Sequence, residues 1–509
     1  MPLAVFKLPV VKTRSEPSGE EWSGSFTLQF CATAGKLVRV WPFKPVSLRS
    51  SESPEADGTP SGSRQNAVMA QPPPAKKCDT FCVMPWLYLQ LFSDGHVKPC
   101  CKFKQFITKD DSPMSVYKQS LGEIWNSDFM RNIRRAMIHG ERVSGCVDCY
   151  QEEESGGVSL RKARNRDWQT GWLNEDMISI DVLKARAVSA DYRFPTKPSF
   201  LQLDVGNLCN LKCRMCQGYS SSRIDQDPVH RQWNGGAPPD QERFPGGKRW
   251  FEDKNFILTQ LFEHPEQVKL LEFLGGETLL IREVKDILES LVEARVAHNI
   301  MLHATTNGTV VKSPWLGLAE RFRHLSLNIS VDGFGKYYEY IRYPGRWNTI
   351  TRNIEILRNR PHTSVMVIAT LQAYNALNIV DLFKYLDSIG LDFYAYPVTH
   401  PPYLSPTVLP PCARRLAIER LRSYAEGDCL SAHRELVLGL AGGLENVRDA
   451  DGFDEELMRA FMLFTNDLDA TRGQSFRETH EELLQLITDA GFTWTNETCH
   501  ARLTPLPIA

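Results

Sequence analysis

The sequence predicts an α/β protein built on a partial (β/α)6 barrel, with a small cysteine-bearing α+β module before it and a mostly helical region after it. Three observations predict this. Six short apolar runs alternate with helical stretches between about 195 and 400, the pattern of parallel βαβ units closing or partly closing into a barrel. Nine of the 13 cysteines lie between positions 78 and 216. Residues 405–509 carry helical periodicity and no motif.

Length and composition bound the rest. The chain has 509 residues, 42% apolar and 24% charged, room for about three domains. A chain of this size does not depend on disulfide staples to fold. Lys and Arg total 59 against 61 Asp and Glu. A net charge of -2 excludes a global pull toward nucleic acid or an anionic membrane. No run of 18 apolar residues exists, and the opening MPLAVFKLPVVKTRSE has neither the apolar length nor the cleavage site of a secretory signal. These features predict a soluble, cytoplasmic protein with no nucleic-acid and no membrane partner.

Taken in order, residues 1–77 read as a disordered extension. Pro45 to Lys77 is rich in Ser, Pro, Gly and Ala and cannot bury enough surface to offset its ordering entropy. Either Met69 is the translation start, or the stretch is a genuine flexible extension. Residues 78–170 read as the small module: MPWLYLQLF as a strand, SDGHV as a turn and KPCCKF as the return strand. The segment LGEIWNSDFMRNIRRAMIHGE follows as one helix, with Leu121, Ile124, Trp125, Phe129, Ile133 and Met137 at helical spacing, before Cys146 and Cys149. Glu152, Glu153 and Glu154 read as a solvated run. Arg161, Lys162, Arg164 and Arg166 read as a solvated helix face, or as a surface for an acidic substrate or an electron-donor protein.

The barrel occupies 195–400. Its strands are 199–205, 268–274, 300–306, 325–331, 364–371 and 392–398, with helices at 251–263, 281–296, 346–359 and 376–389. In parallel folds of this kind the chemistry sits at the C-terminal strand ends. Tyr337, Tyr338 and Tyr340 fit either a substrate mouth or the core.

Directly after the first barrel strand stands Cys209-Asn-Leu-Lys-Cys213-Arg-Met-Cys216. Three thiolates in a CxxxCxxC loop can hold three irons of a 4Fe–4S cube and leave the fourth iron open to a small chelating molecule. Structural zinc sites usually take four ligands in two spaced pairs, and no such complement follows locally. The clustered short spacings suit metal or iron–sulfur ligation in a reducing compartment. Cys31, Cys412, Cys429 and Cys499 read as small buried residues or exposed thiols without a role.

Over roughly 199–399 the chain resembles the radical S-adenosylmethionine (SAM) superfamily. Gly275-Gly276-Glu277 ends the second strand, Thr306-Asn307-Gly308 the third and Ser330-Val331-Asp332-Gly333 the fourth, like the S-x-D-G segment of peptide- and sugar-modifying members. Arg342 stands where those members place a carboxylate-binding arginine. The resemblance implies that Cys209, Cys213 and Cys216 ligate the SAM-binding 4Fe–4S cluster. It implies further that Gly275, Gly276, Glu277, Asn307, Ser330, Asp332 and Arg342 bind SAM. The glycines would let the backbone approach the ligand. Glu277 suits the methionine ammonium, and the Arg342 guanidinium suits the carboxylate. Asp332 either accepts from ribose hydroxyls or forms a turn. Met215 departs from the aromatic usual at its position, offering the adenine a sulfur contact instead.

Cys82, Cys100, Cys146 and Cys149 resemble the twitch module, the short form of the SPASM domain, which binds one auxiliary 4Fe–4S cluster. Here the module precedes the barrel, whereas in the family it usually follows. A zinc site with the same thiolates is the alternative, and either Cys100 or its neighbour Cys101, with Cys78 also spare, can fill the second position. The activity implied is that of an oxidoreductase or maturase. It would reductively cleave SAM to a 5′-deoxyadenosyl radical and oxidatively modify a substrate, with electrons from a flavodoxin- or ferredoxin-type donor. The S-x-D-G and Arg342 features point to a peptide or peptidyl side chain. The module's cysteine separations instead resemble those of an amino-sugar dehydrogenase and point to a small natural-product alcohol or amino sugar. A non-catalytic iron–sulfur protein is the third reading.

Overall fold

The computed structural model describes residues 79–154, 158–171, 174, 177–233, 249–445 and 454–498. The expectations placed on residues 1–78, among them the extension, Met69, Cys31 and Cys78, lie outside these, as does Cys499.

The organising element is an eight-stranded sheet in the order β10-β9-β8-β7-β6-β5-β1-β2. Its barrel strands are β5 (Phe200–Asp204), β6 (Leu270–Leu274), β7 (Met301–Thr306), β8 (His324–Ser330), β9 (Thr363–Leu371) and β10 (Phe393–Pro397). Consecutive members pair in parallel. These are the six strands expected, within a residue or two. One face of each is closed under helices: Leu271, Phe273, Leu327 and Val367 are completely buried. Helices Glu283–Glu293, Trp347–Arg358 and Ile379–Ser388 supply that cover, burying apolar stripes such as Val284, Ile287, Leu288 and Leu291. The sheet runs from β10 at one edge to β2 at the other, so the barrel is open and not closed.

The module's first strand belongs to this sheet. β1 (Tyr88–Leu91) pairs in parallel with β5, Gln90 opposite Gln202, and β2 (Val97–Lys98) returns antiparallel to it. A second, two-stranded sheet joins β3 (Thr108–Lys109) to β4 (Ser112–Pro113).

Three expectations change here. Met84–Leu87 is a short helix with Pro85 in its first turn, so the hairpin strand starts only at Tyr88. The single helix expected after residue 120 is two, Leu121–Trp125 and Asp128–His139, because the Ser127 hydroxyl accepts from Met130 N and restarts the chain as an N-cap. The helix expected over 251–263 breaks into Trp250–Glu252, Lys254–Phe256 and Ile257–Leu261, where Asp253 caps the second turn.

Beyond the barrel lie helices Pro411–Glu426, Ser431–Glu445, Glu455–Arg472 and Glu481–Asp489, the helical region expected. Among the described residues no helix is long and apolar enough to cross a membrane.

Candidate functional site

The CxxxCxxC loop leaves the end of β5 and is held by backbone bonds on two sides. Lys212 N donates to Tyr343 O (2.6 Å) and Arg214 N to Ile341 O (2.9 Å), which lays the loop along the segment that carries Arg342. Ser222 N donates to Asn207 O (2.6 Å), and Ser222 Oγ accepts from Cys209 N (3.2 Å). Cys209, Cys213 and Cys216 come together. Burial pushes all three thiols up, Cys213 to about 12, and Cys209 and Cys213 further raise Cys216. Buried thiols that disfavour one another's thiolates are stabilised as ligands by a cationic metal centre. The donor set fits an iron–sulfur cluster.

The glycines serve this loop by a route the sequence did not show. A Cβ on Gly275, whose φ is +143°, would lie 2.4 Å from Gly206 O; one on Gly276 would lie 2.3 Å from Leu208 O. Their smallness lets the β6 end pack against the backbone leading into the cysteines. Glu277 N in turn donates to Leu208 O (2.7 Å). The Glu277 carboxylate is completely buried and accepts from Thr306 Oγ1 (2.5 Å), Asn307 N (2.6 Å) and Leu279 N (3.0 Å). Burial raises its pKa despite those bonds. It therefore ties the β6 end to the β7 end. Asn307 extends the tie, donating to Asn210 Oδ1 (2.8 Å) and lying 3.8 Å from Cys209 Sγ.

Arg342 is nine-tenths buried. Its Nε donates to Asp332 Oδ2 (2.7 Å), and its Nη1 points at Cys213 Sγ (3.8 Å). The second Asp332 oxygen accepts from Thr370 N (2.7 Å), so Asp332 joins the β8 and β9 ends and aims the guanidinium at the cysteine loop. Ser330 closes β8, half-buried, and Met215 packs half-buried against the core. Tyr338 and Tyr340 are buried, so those aromatics belong to the core.

One residue of the loop itself was not singled out by sequence. Arg214, fully buried, donates to Tyr340 O (3.0 Å) and Gln474 Oε1 (3.0 Å), pairs with Asp469, and stacks 3.6 Å from the Tyr340 ring centre. Asp469 and Gln474 come from the C-terminal helical region, which thus braces the loop from behind. Only the separation of 255 residues hid this pair from the sequence.

At the other end of the strands, Cys82, Cys100, Cys146 and Cys149 line one pocket together with Lys102 and Arg161. Cys82 precedes β1 and Cys100 follows β2, which places the pocket opposite the CxxxCxxC loop. Backbone N–H groups of Met84, Lys102 and Arg161 bond Cys82, Cys100 and Cys149. Burial pushes the Cys82 and Cys146 thiols up to about 12. Of the neighbouring pair, Cys100 lines the pocket while Cys101 is exposed and does not. Among the described residues no group of three or more His, Cys, Asp or Glu converges as a single ion requires. The four thiols line one pocket, and a four-iron cube takes one thiolate per corner.

Of the charged residues near this pocket, Glu154, Lys162 and Arg166 are exposed, as a solvated face requires, while Arg161 and Glu153 are not. Arg161 is 3% exposed, bonding Glu153 through Nε (2.9 Å) and Nη2 (2.5 Å) and Phe81 O through Nη1 (2.8 Å). Glu152 pairs with Lys102, and Glu154 with Arg142 (2.6 Å). Of the remaining cysteines, Cys429 is buried and Cys412 half-buried.

Between the two cysteine sites lies the open face of the sheet. Tyr394 and Tyr396 of β10 project exposed from it, Tyr396 beside Thr370, Asp332 and Arg342, and Tyr394 near Lys102.

The three-cysteine loop thus stands at the C-terminal end of the first barrel strand, and the four-cysteine pocket at the opposite strand ends. Residues 203–386 match the radical SAM superfamily, and residues 82–150 match SPASM, an iron–sulfur cluster-binding domain. The first carries a 4Fe–4S cluster and SAM; the second carries an auxiliary iron–sulfur cluster. Among solved structures, the chain is similar to native anSMEcpe with bound AdoMet, at 16% identity over 45% of this chain and 61% of that one, TM-score 0.34. It is also similar to SuiB from Streptococcus suis bound to S-adenosylmethionine, at 12% identity over 57% of this chain and 62% of that one, TM-score 0.31. The chain thus spans about three fifths of the length of these two structures. No curated protein matches it.

Proposed function

We propose that this protein oxidatively modifies a peptide or peptidyl side chain placed in the barrel lumen between its two cluster sites. The observation that carries this is their placement: Cys209, Cys213 and Cys216 stand at the C-terminal strand ends, and Cys82, Cys100, Cys146 and Cys149 at the opposite ends of strands in the same sheet. When bound at the first site, the cluster and SAM supply a radical that abstracts hydrogen from an unactivated carbon. A fully ligated second cluster is suited to accept the electron left on the substrate, which favours a net two-electron oxidation.

The chain's own residues prepare these sites. Arg342, its Nε fixed on Asp332, presents the rest of its guanidinium to a methionine carboxylate. Glu277 and Asn307 hold the loop ends in register, and Met215 and Ser330 stand where the adenosyl group would lie. Residues 78–170 act as the auxiliary module and 195–400 as the barrel. The electron source is a flavodoxin- or ferredoxin-type donor in a cytoplasmic setting. The peptide reading is supported by the Ser330–Gly333 segment and Arg342, which resemble those of peptide-modifying members. Dehydrogenation of an amino sugar or small alcohol is the second reading, favoured by the spacing of Cys82, Cys100, Cys146 and Cys149.

The test is anaerobic. Protein carrying about eight irons, mixed with SAM and dithionite, should form 5′-deoxyadenosine slowly without substrate. Absence of 5′-deoxyadenosine from protein with both clusters loaded would overturn the proposal.

A further inference from the structure

A transverse belt of polar side chains crosses the lumen, and neither cysteine site uses it. Gln90 of β1, Gln202 of β5, Glu272 of β6 and His303 of β7 are register partners on four neighbouring strands, so all leave the same face of the sheet. Their chain neighbours Leu89, Leu201, Leu271 and Leu302 fill the opposite, helix-covered face. Asn328 of β8 stands beside His303. Glu272 lies three residues before Gly275, about 10 Å along the strand from the SAM loops. On the other side it faces Tyr88, Cys101 and Arg164 of the module.

The belt is charged but balanced. Glu272 Oε1 and His303 Nδ1 are 3.2 Å apart. Burial opposes both charges, yet each holds the other, the carboxyl below and the imidazole above its ordinary value. Arg164 is balanced by Asp167 at 2.9 Å. Four buried polar atoms nevertheless have no partner within hydrogen-bond distance: Gln90 Oε1, Gln202 Oε1, and Asn328 Oδ1 and His303 Nε2, which face each other across a longer gap. Buried polar atoms are rarely left unpaired without a purpose. The Gln202 amide orientation is fixed by its bond to the Glu272 carboxylate, which accepts only from the NH2 end.

We propose that this belt binds the substrate through an uncharged group bearing both a donor and an acceptor, an amide or a hydroxyl. This rests on the reading that the lumen holds the substrate. Such a group donates to Gln202 Oε1 or Asn328 Oδ1 and accepts from His303 Nε2–H, the protonated form that the pair with Glu272 favours. A carboxylate would instead meet three amide oxygens and the Glu272 carboxylate, and an ammonium, which has no acceptor, would bond the oxygens but leave His303 Nε2 unmatched. An amide comes from a peptide and a hydroxyl from a sugar or alcohol; the chemistry they share is what the belt reads.

The experiment uses full-length protein with both clusters loaded, kept anaerobic. Binding is read by saturation-transfer NMR with four probes: N-acetylalaninamide, methyl glucoside, acetate and propylammonium. The neutral probes should bind more tightly than the charged ones; the amide alone binding identifies a peptide source, and the glucoside alone a sugar source. Gln202→Leu and Asn328→Leu should each weaken the neutral probe by about tenfold, the effect of one lost hydrogen bond. Iron content and the denaturation midpoint of each variant show that it is folded, and Gln90→Leu gives a further variant on the module side of the belt. Tighter binding of acetate or propylammonium would overturn the proposal, as would unchanged neutral binding in folded variants. Formation of 5′-deoxyadenosine by the same preparation separates the two readings. If it forms and no neutral probe binds, the belt assignment alone fails; if it does not form, the proposed function fails.

Discussion

Replacing Arg214 with Leu removes a guanidinium that has no solvent to fall back on. It is fully buried, bonded to Tyr340 O and Gln474, paired with Asp469 and stacked on two tyrosine rings. Breaking a buried pair from one side costs about 3–5 kcal/mol, chiefly because the partner charge stays behind. Asp469 is not wholly stranded, since it keeps the Tyr340 hydroxyl (2.8 Å) and Phe476 N (2.6 Å). That places the pair nearer 3 kcal/mol, with a stacked cation on a desolvated ring contributing about 2 kcal/mol more at most. Anaerobic denaturant unfolding should therefore show a loss of about 3–5 kcal/mol. Because Arg214 lies between Cys213 and Cys216, the variant should also lose about four of its eight irons, those of the barrel site. The double variant Arg214→Leu, Asp469→Leu should be less destabilised than the two single changes added together, by at least about 1 kcal/mol. A loss below about 1 kcal/mol in the single variant, with iron content intact, would refute the bracing role of the C-terminal helices.

Other outcomes follow from the same geometry. Triple replacement of Cys209, Cys213 and Cys216 with Ala should leave about four irons, whereas Cys101→Ala should leave the full content and Cys100→Ala should not; colorimetric iron assay decides. Gly276→Ala forces a Cβ to 2.3 Å from Leu208 O, and overpacking of that kind should lower stability by about 1–3 kcal/mol and impair SAM binding. Asp332→Asn keeps the size but loosens the hold on Arg342, and should weaken SAM binding by about 1.5–3 kcal/mol, measured by equilibrium dialysis. Glu272, held below its ordinary 4.5, stabilises the fold above that value and loses its contribution as pH falls. His303, held above its ordinary 6.5, contributes fully below that value and loses its contribution as pH rises. The stability difference between the protein and its His303→Phe variant should thus be greatest between pH 4.5 and 6.5; a flat difference would show that the pair does not form.

The barrel strands were legible because a strand covered by helices needs a continuous or alternating apolar run, and each of β5 to β10 has one. The cysteine loop was legible because its three cysteines are neighbours in sequence. What escaped was whatever depends on register or on distant chain. Gln90, Gln202, Glu272 and His303 are scattered over more than 200 positions and become one belt only when the sheet order is known. Arg161 reads as one of four basic residues on a helix, and nothing local shows that Glu153 and Phe81 O enclose it. The break at Asn126–Ser127 was hidden because apolar spacing continues smoothly across it, while a single hydroxyl decides where the helix restarts. The glycines of the β6 end were read as points where the backbone approaches a ligand; what they meet in the structure is the backbone leading into the cysteine loop.

The parallel pairing of β1 with β5 has a consequence for any attempt to study the barrel by itself. A fragment starting after residue 195 would bare the whole outer edge of β5, four residues of which now bond to β1 through Tyr88, Leu89, Gln90 and Leu91. That strand carries the buried Phe200, Leu201 and Leu203, and an unpaired edge of this kind recruits another strand. Such a fragment should self-associate at β5, two copies each offering the other the edge that the module normally shields. Solubility of the isolated barrel would then be restored by a peptide copy of residues 84–98, and the module would act as a built-in guard against misassembly.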